Sequence, residues 1–209
     1  MLMRKTLWAT RCNPSTPALF LDRDGVIMED RHYIKDPDLV RLCGGVSDLI
    51  VSARRLGYAV VVVTNQSGIA RGLLSWEQVE AVNQRMLELL GPEAQPSALY
   101  ANGYGPDAPP TSWRKPSPAM LLDAAQQLNL SLSRSVMIGD RLSDIQAGVA
   151  AGVALVCHVL SGHGRAERAA VQLWYRNQQA SGTETLSGLL LLDGLQGFDA
   201  HQLVREEGP

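Results

Sequence analysis

Asp22-Arg23-Asp24-Gly25 sets two carboxylates two residues apart at the end of an apolar run, Pro17-Ala-Leu-Phe-Leu21. Alternate residues of an extended segment point the same way, so both carboxylates can face one site. Such a pair suits a hard cation such as Mg²⁺. One carboxylate can also act as a nucleophile toward phosphorus while the other serves as general acid. Gly25 lets the backbone turn sharply behind them. Thr64-Asn65-Gln66-Ser67-Gly68 follows a second apolar run and offers hydroxyl, amide and turn donors to phosphate oxygens; a polar loop capping the next element is its other reading. Arg114-Lys115 stands beside a helix start at Ser117, either an anion site or a solvated basic pair. Gly139-Asp140-Arg-Leu-Ser-Asp144 ends a further apolar run. Asp140 can complete a metal site with Asp22, and Asp144 can orient a ligating water or favour a helix start. Each motif alone is weak. Together they supply a cation site, a carboxylate nucleophile, phosphate donors and a positive charge, which phosphoryl transfer requires.

The elements that must position these residues alternate along the chain. Strands are expected at 17–21, 58–63, 97–101, 135–138 and 153–157, with an edge strand at 189–192. The 58–63 run, Tyr-Ala-Val-Val-Val-Val, is continuously apolar, as in a strand covered on both faces. Helical spacing of apolar residues marks 45–56, with Gly57 as a stop. Ser75-Trp-Glu-Gln78 has the form of a capping box before a helix carrying Val79, Val82, Met86 and Leu90. Ser117-Pro118 opens a third helix, Ser143–Ala151 a short fourth, and 165–179 a fifth. Two Gly and three Pro make 102–114 a surface loop, and 178–185 reads as a polar, mobile segment. Strand and helix alternation predicts an α/β fold: a Rossmann-like three-layer α/β/α sandwich with a mainly parallel sheet and no large cap domain. In such sheets ligands bind beyond the carboxyl ends of the strands, where three of the four motifs fall. No linker divides the chain, so one domain over 1–209 is expected, with a core at about 17–160 and an extension from about 161.

Composition excludes several classes. The 209 residues carry 19 basic and 21 acidic side chains, a formal charge of −2. No basic excess favours a nucleic-acid or anionic-membrane partner. With 45% hydrophobic and 19% charged residues the chain is not disordered. No apolar run approaches the roughly 18–20 residues that span a bilayer, and Arg11 interrupts the N-terminal apolar stretch well short of a signal peptide. Three widely spaced cysteines, Cys12, Cys43 and Cys157, read as reduced thiols of a cytoplasmic protein. A monomer is expected, because no apolar stripe is left over once the core is assigned.

The four motifs resemble those of the haloacid dehalogenase superfamily. Asp22-x-Asp24-Gly-Val is similar to its first motif, Thr64 to its second, Lys115 to its third, and Gly139-Asp140-x-x-x-Asp144 to its fourth. Three longer strings resemble the minimal-cap branch whose members act on heptose 1,7-bisphosphate or histidinol phosphate: Phe20-Leu-Asp-Arg-Asp-Gly25, Thr64-Asn-Gln-Ser-Gly-Ile-Ala-Arg-Gly72 and Arg114-Lys-Pro116. The resemblance implies a Mg²⁺-dependent phosphatase. Asp22 would attack phosphorus to form an aspartyl-phosphate, and Asp24 would protonate the leaving oxygen and then activate water. Mg²⁺ would be held by Asp22, Asp24 (through its carbonyl) and Asp140. Thr64 and Asn65 would bind the phosphate, Lys115 would neutralise it, and Arg114 would contact the rest of a small sugar phosphate. Removal of the 7-phosphate of a heptose 1,7-bisphosphate is the leading expectation. Histidinol phosphate or another small phosphomonoester is the alternative, and a non-catalytic phosphate-binding module a remote one.

The branch usually has a zinc loop before Arg-Lys-Pro, with Cys-x-His and then Cys-x-Cys. Here the matching stretches are Ala101-Asn-Gly103 and Thr111-Ser-Trp113. No structural zinc is expected; Pro106, Pro109, Pro110 and a packed Trp113 would stiffen the loop instead. His163 is either a second-phosphate contact or a turn histidine. His32, His158 and His201 are expected to be structural or exposed.

Overall fold

The computed structural model describes residues 2–9, 11–14, 16–109, 111–181, 187–198 and 200–203. Seven strands form one sheet: β1 (Met3–Leu7), β2 (Ala18–Leu21), β3 (Ala59–Asn65), β4 (Ala98–Asn102), β5 (Val136–Gly139), β6 (Leu155–His158) and β7 (Gly188–Leu191). Their spatial order is β1-β4-β3-β2-β5-β6-β7. All neighbours from β4 to β7 are parallel, and β1 pairs with β4 antiparallel. Five helices cover the sheet: α1 (Val46–Arg55), α2 (Trp76–Leu90), α3 (Ala119–Leu128), α4 (Leu142–Ala151) and α5 (Gly164–Ala180).

Period-two alternation divides the core into two layers. Leu19, Leu21, Val60, Val62 and Ile138 face α1 and α2, where Leu49, Ile50, Val82 and Met86 pack. Phe20, Val61, Val63 and Met137 face the other way, onto Met120, Leu121 and Ala124 of α3 and Ile145 of α4. The expected three-layer sandwich is therefore present. Between β2 and α1 the chain folds back on itself through single bridges, Asp24 to Met28 and Met28 to Leu42, with no inserted cap domain among the described residues.

The helix starts follow local chemistry. Ser75 accepts from the Gln78 N–H, and the Gln78 side chain accepts from the Ser75 N–H, completing the expected capping box. The third helix begins at Ala119 rather than at Ser117, and Ser117 Oγ accepts from the Ala119 N–H. Residues 178–180 continue α5 instead of forming a loop. The rest of the expected polar segment, 182–185, lies outside the described residues, as does Pro110. Asn102 is buried and ends β4, so the loop proper starts at Gly103.

Strand β1 is the largest difference from the sequence reading, which treated the N-terminus only as a failed leader. It lies along the edge of β4. Lys5 forms an ion pair of 2.7 Å with Asp123 of α3, and Arg4 pairs with Glu80 of α2. A short charged strand suits a sheet edge. No described helix is long and apolar enough to cross a membrane.

Candidate active site

Strands β3, β2 and β5 are neighbours at the centre of the sheet. The chain runs outward from β2 on both sides, to β3 and β4 and to β5 and β6. This is a topological switch point, and its crevice opens at the carboxyl strand ends. A pocket of about 270 Å³ lies there, lined by Asp22, Asp24, Thr64, Asn65, Arg114 and Lys115. Six of the seven expected site residues thus share one pocket. The seventh, Asp140, lies beneath it and is fully buried.

Lys115 is central to the floor. Its ammonium donates to Asp22 Oδ1 at 2.6 Å and to the Val63 carbonyl at 2.8 Å, and sits 2.8 Å from Asp144 Oδ1. All three charged side chains are nearly inaccessible. Burial disfavours the ammonium, but Asp144 and Asp22 outweigh it and hold Lys115 firmly protonated. Burial pushes the Asp22 carboxyl above the usual carboxylate range against the pull of Lys115, with Asp144 and Asp24 adding to the rise. Burial also raises Asp140, reinforced by Asp22 and Asp144.

Asp24 is held separately. Its Oδ2 accepts from Gln66 Nε2 at 2.8 Å and from Thr64 Oγ1 at 3.3 Å. Arg23 clamps both its oxygens at 3.0–3.1 Å, and is itself fixed by Asn83 of α2 at 2.7 Å. Asn65 uses both ends of its amide on the Lys115 backbone. Its Oδ1 accepts from the Lys115 N–H and its Nδ2 donates to the Lys115 carbonyl, both at 3.1 Å. Its side chain therefore positions Lys115 as well as lining the pocket. Gly25, in the left-handed region at φ +90°, brings the turn so close to Asp140 that a Cβ would collide with its carboxylate.

Asp22, Asp140 and Asp144 each offer an oxygen within 4.8 Å of the others. One ammonium faces these three carboxylates, and Asp140 Oδ1 is buried with no hydrogen-bond partner. A buried, unpartnered oxygen beside a second carboxylate fits a hard divalent cation. The residues present therefore suit Mg²⁺, with Asp22 and Asp140 as side-chain ligands.

Several contributors escaped the sequence reading. Gln66 lies within a recognised string but carried no assigned role. Arg23 stands between the two aspartates, where strict strand alternation would aim it away; β2 ends at Leu21, so the turn buries it instead. His158, on β6, is fully buried. Arg168 Nε donates to its Nδ1 at 2.9 Å, so Nε2 carries the proton and donates to the Asp140 carbonyl at 3.0 Å. Burial, with Arg168 adjacent, lowers its pKa and keeps it neutral.

A parallel sheet with paired aspartates, a hydroxyl and a buried lysine at its switch point defines a phosphoryl-transfer hydrolase. Comparison with known proteins narrows this class. Residues 112–180 match the family model described as HAD-hydrolase-like. A D-glycero-beta-D-manno-heptose-1,7-bisphosphate 7-phosphatase from Mesorhizobium japonicum is 48% identical over 148 residues, 68% of each chain. The enzyme of that name from Yersinia pestis is 36% identical, over 79% of this chain and 93% of its own. Among solved structures, the D,D-heptose 1,7-bisphosphate phosphatase from B. bronchiseptica, complexed with magnesium and phosphate, superposes with a TM-score of 0.71. It is 28% identical and covers 90% of this chain and 98% of its own. The chain belongs to the haloacid dehalogenase-like hydrolases, and it is a phosphatase.

Proposed function

We propose that this phosphatase removes the 7-phosphate of a D-glycero-D-manno-heptose 1,7-bisphosphate, with Asp22 as nucleophile. The observation that carries the reading is the charge layout of the pocket. Its floor holds Asp22 against Lys115, and its lining includes Arg71, Arg114 and Arg141. The three guanidiniums are close enough that Arg141 and Arg71 add to burial in lowering the Arg114 pKa. A bisphosphate matches such a pocket at both ends: one phosphate at the floor, one at the arginines. Histidinol phosphate would instead bring a cationic amine toward them. The pocket thus favours the bisphosphate, and the names of the relatives agree with it.

The chemistry follows from the side chains. Asp22 Oδ attacks phosphorus as the bond to the sugar oxygen breaks, giving an aspartyl-phosphate. Asp24 donates its proton to the departing oxygen, then accepts one from the water that cleaves the acyl phosphate. Gln66 and Arg23 hold the Asp24 carboxyl at that position, and the Thr64 hydroxyl, rotated away from Asp24, would donate to the transferring group. Lys115 offsets charge on the phosphate oxygens. Mg²⁺, held by Asp22, the Asp24 carbonyl and Asp140, would supply the remaining positive charge.

In this reading the loop before Arg114 works without zinc. Trp113 packs on Tyr100 with ring centroids 5.2 Å apart, and Lys5 of β1 stands 5.7–5.8 Å from both rings. The proposed setting is cytoplasmic, with a small sugar phosphate as the partner and a monomer as the working state. The test is phosphate release from both anomers of heptose 1,7-bisphosphate and from histidinol phosphate, with Mg²⁺ and with chelator. Mg²⁺-dependent turnover favouring one heptose anomer is expected. Turnover of histidinol phosphate alone would overturn the substrate and leave the chemistry.

A further inference from the structure

Three side chains outside the phosphoryl-transfer residues meet at the pocket rim. Asp30 and His32 lie on the connection after β2, and His163 on the turn before α5. One ligand atom of each lies within 4.8 Å of the other two. His163 Nε2 is 2.9 Å from Asp30 Oδ2. That nitrogen is buried yet makes no hydrogen bond, so the approach is out of line. His32 Nδ1 stands 4.0 Å from Asp30 Oδ1, and the two imidazoles lie 5.6 Å apart with their planes at 57°. An imidazole nitrogen set this close to a carboxylate without an aligned proton offers a cation two ligand atoms side by side. Among the described arginines and lysines Arg141 comes nearest, but its Nη2 stays 3.8 Å from Asp30 on a half-exposed side chain.

The backbone already holds these groups in place. The His32 N–H donates to Asp30 Oδ1 at 2.9 Å. The His163 N–H donates to Asp140 Oδ2 at 2.7 Å, and Ser161 Oγ donates to the Gly25 carbonyl at 2.5 Å. Gly162, at φ +55°, has no room for a Cβ against Gly25 and Asp140. The turn carrying His163 is thus locked to the floor of the pocket.

We propose that Asp30, His32 and His163 form a binding site for a divalent transition ion of the zinc class, separate from the hard-cation position at Asp22 and Asp140. Two imidazoles and one carboxylate match the ligand preference of such ions, whereas Mg²⁺ prefers oxygen. Three protein ligands leave a coordination position open. Asp30 and His32 line the pocket, so the site borders the space that the substrate would occupy.

The test is calorimetric titration of the full chain with Zn²⁺ in millimolar Mg²⁺, paired with Co²⁺ absorption in the visible range. One Zn²⁺ per chain is expected, weakened at least about tenfold in His32→Ala and in His163→Ala, with the Co²⁺ bands lost in both. The His32 side chain is 80% exposed, so its removal leaves the fold intact and decides the matter even if His163→Ala misfolds. Equal Zn²⁺ binding by the wild type and His32→Ala overturns the site. So does Zn²⁺ binding that Mg²⁺ abolishes, or no Zn²⁺ binding at all.

Discussion

At the residue scale the site is an imbalance of buried charge. Lys115 answers Asp22 and Asp144, while Asp140 keeps an oxygen without a partner. Removing one partner of a buried ion pair typically costs about 3–5 kcal/mol. Lys115→Met should therefore lower unfolding stability by about that amount in a denaturant titration at pH 8. The pH dependence has a definite sign. Asp22 and Asp140 have folded pKa values raised above their unfolded ones. Their contribution to stability is full below the unfolded values near 4 and is lost as pH rises through the raised folded values. A bound cation reverses this by favouring the ionised carboxylates. Mg²⁺ should thus raise the melting temperature of the wild type more at pH 8 than at pH 5; an equal shift at both would place the ion elsewhere. Asp24 can be isolated by its leaving group. Asp24→Asn should slow release of a sugar phosphate by about 10²–10⁴-fold, and slow p-nitrophenyl phosphate much less, since nitrophenolate needs no proton. No change with either substrate would remove Asp24 from the proton transfer.

At the scale of elements, the parts that carry the chemistry were legible because their strands are buried on both faces. Ala59–Val63 and Val136–Ile138 stand out as continuous apolar runs, and the polar residues that follow them mark the strand ends. Asp22, Thr64 and Asp140 were found this way. What escaped depends on partners distant in sequence. Strand β1 has no apolar signature; its Arg4 and Lys5 find their acidic partners in Glu80 and Asp123, 76 and 118 residues away. His158 carries no mark of its contact with Asp140, because the tautomer is set by Arg168 on another element. As the donor that orients the Asp140 carbonyl, His158 is a positioning residue. His158→Ala should weaken Mg²⁺ binding about tenfold by calorimetry, and His158→Gln should recover part of it. The loop before Arg114 makes an opposite prediction about metal. The His32→Ala variant, which lacks the proposed rim site, should retain no zinc by elemental analysis after extensive dialysis against a chelator. Trp113→Ala, by contrast, should speed hydrogen exchange across 103–114, because the indole ties that loop to β4.

At the scale of the whole molecule, the carboxyl ends of the central strands serve the site and the sheet edges do different work. The pocket draws on connections after β2, β3 and β5 and on the approach to α3, so four separate stretches must fold before any phosphate can bind. Arginines at 71, 114 and 141 come from three of those stretches. Replacing Arg141 with Ala should raise KM for a bisphosphate and leave KM for a monophosphate nearly unchanged, since only the distal group reaches it. At the far edge, β1 occupies every backbone position along β4 from Ala98 to Asn102. A protease that clipped the chain after Leu7 would uncover five residues of β4, of which Ala98, Leu99, Tyr100 and Ala101 are apolar. Such a row of open amides and carbonyls invites strand addition from a second molecule. Residues 3–7 therefore act as a guard against self-association, and a preparation trimmed of them should grow in mass by light scattering while the untrimmed chain does not.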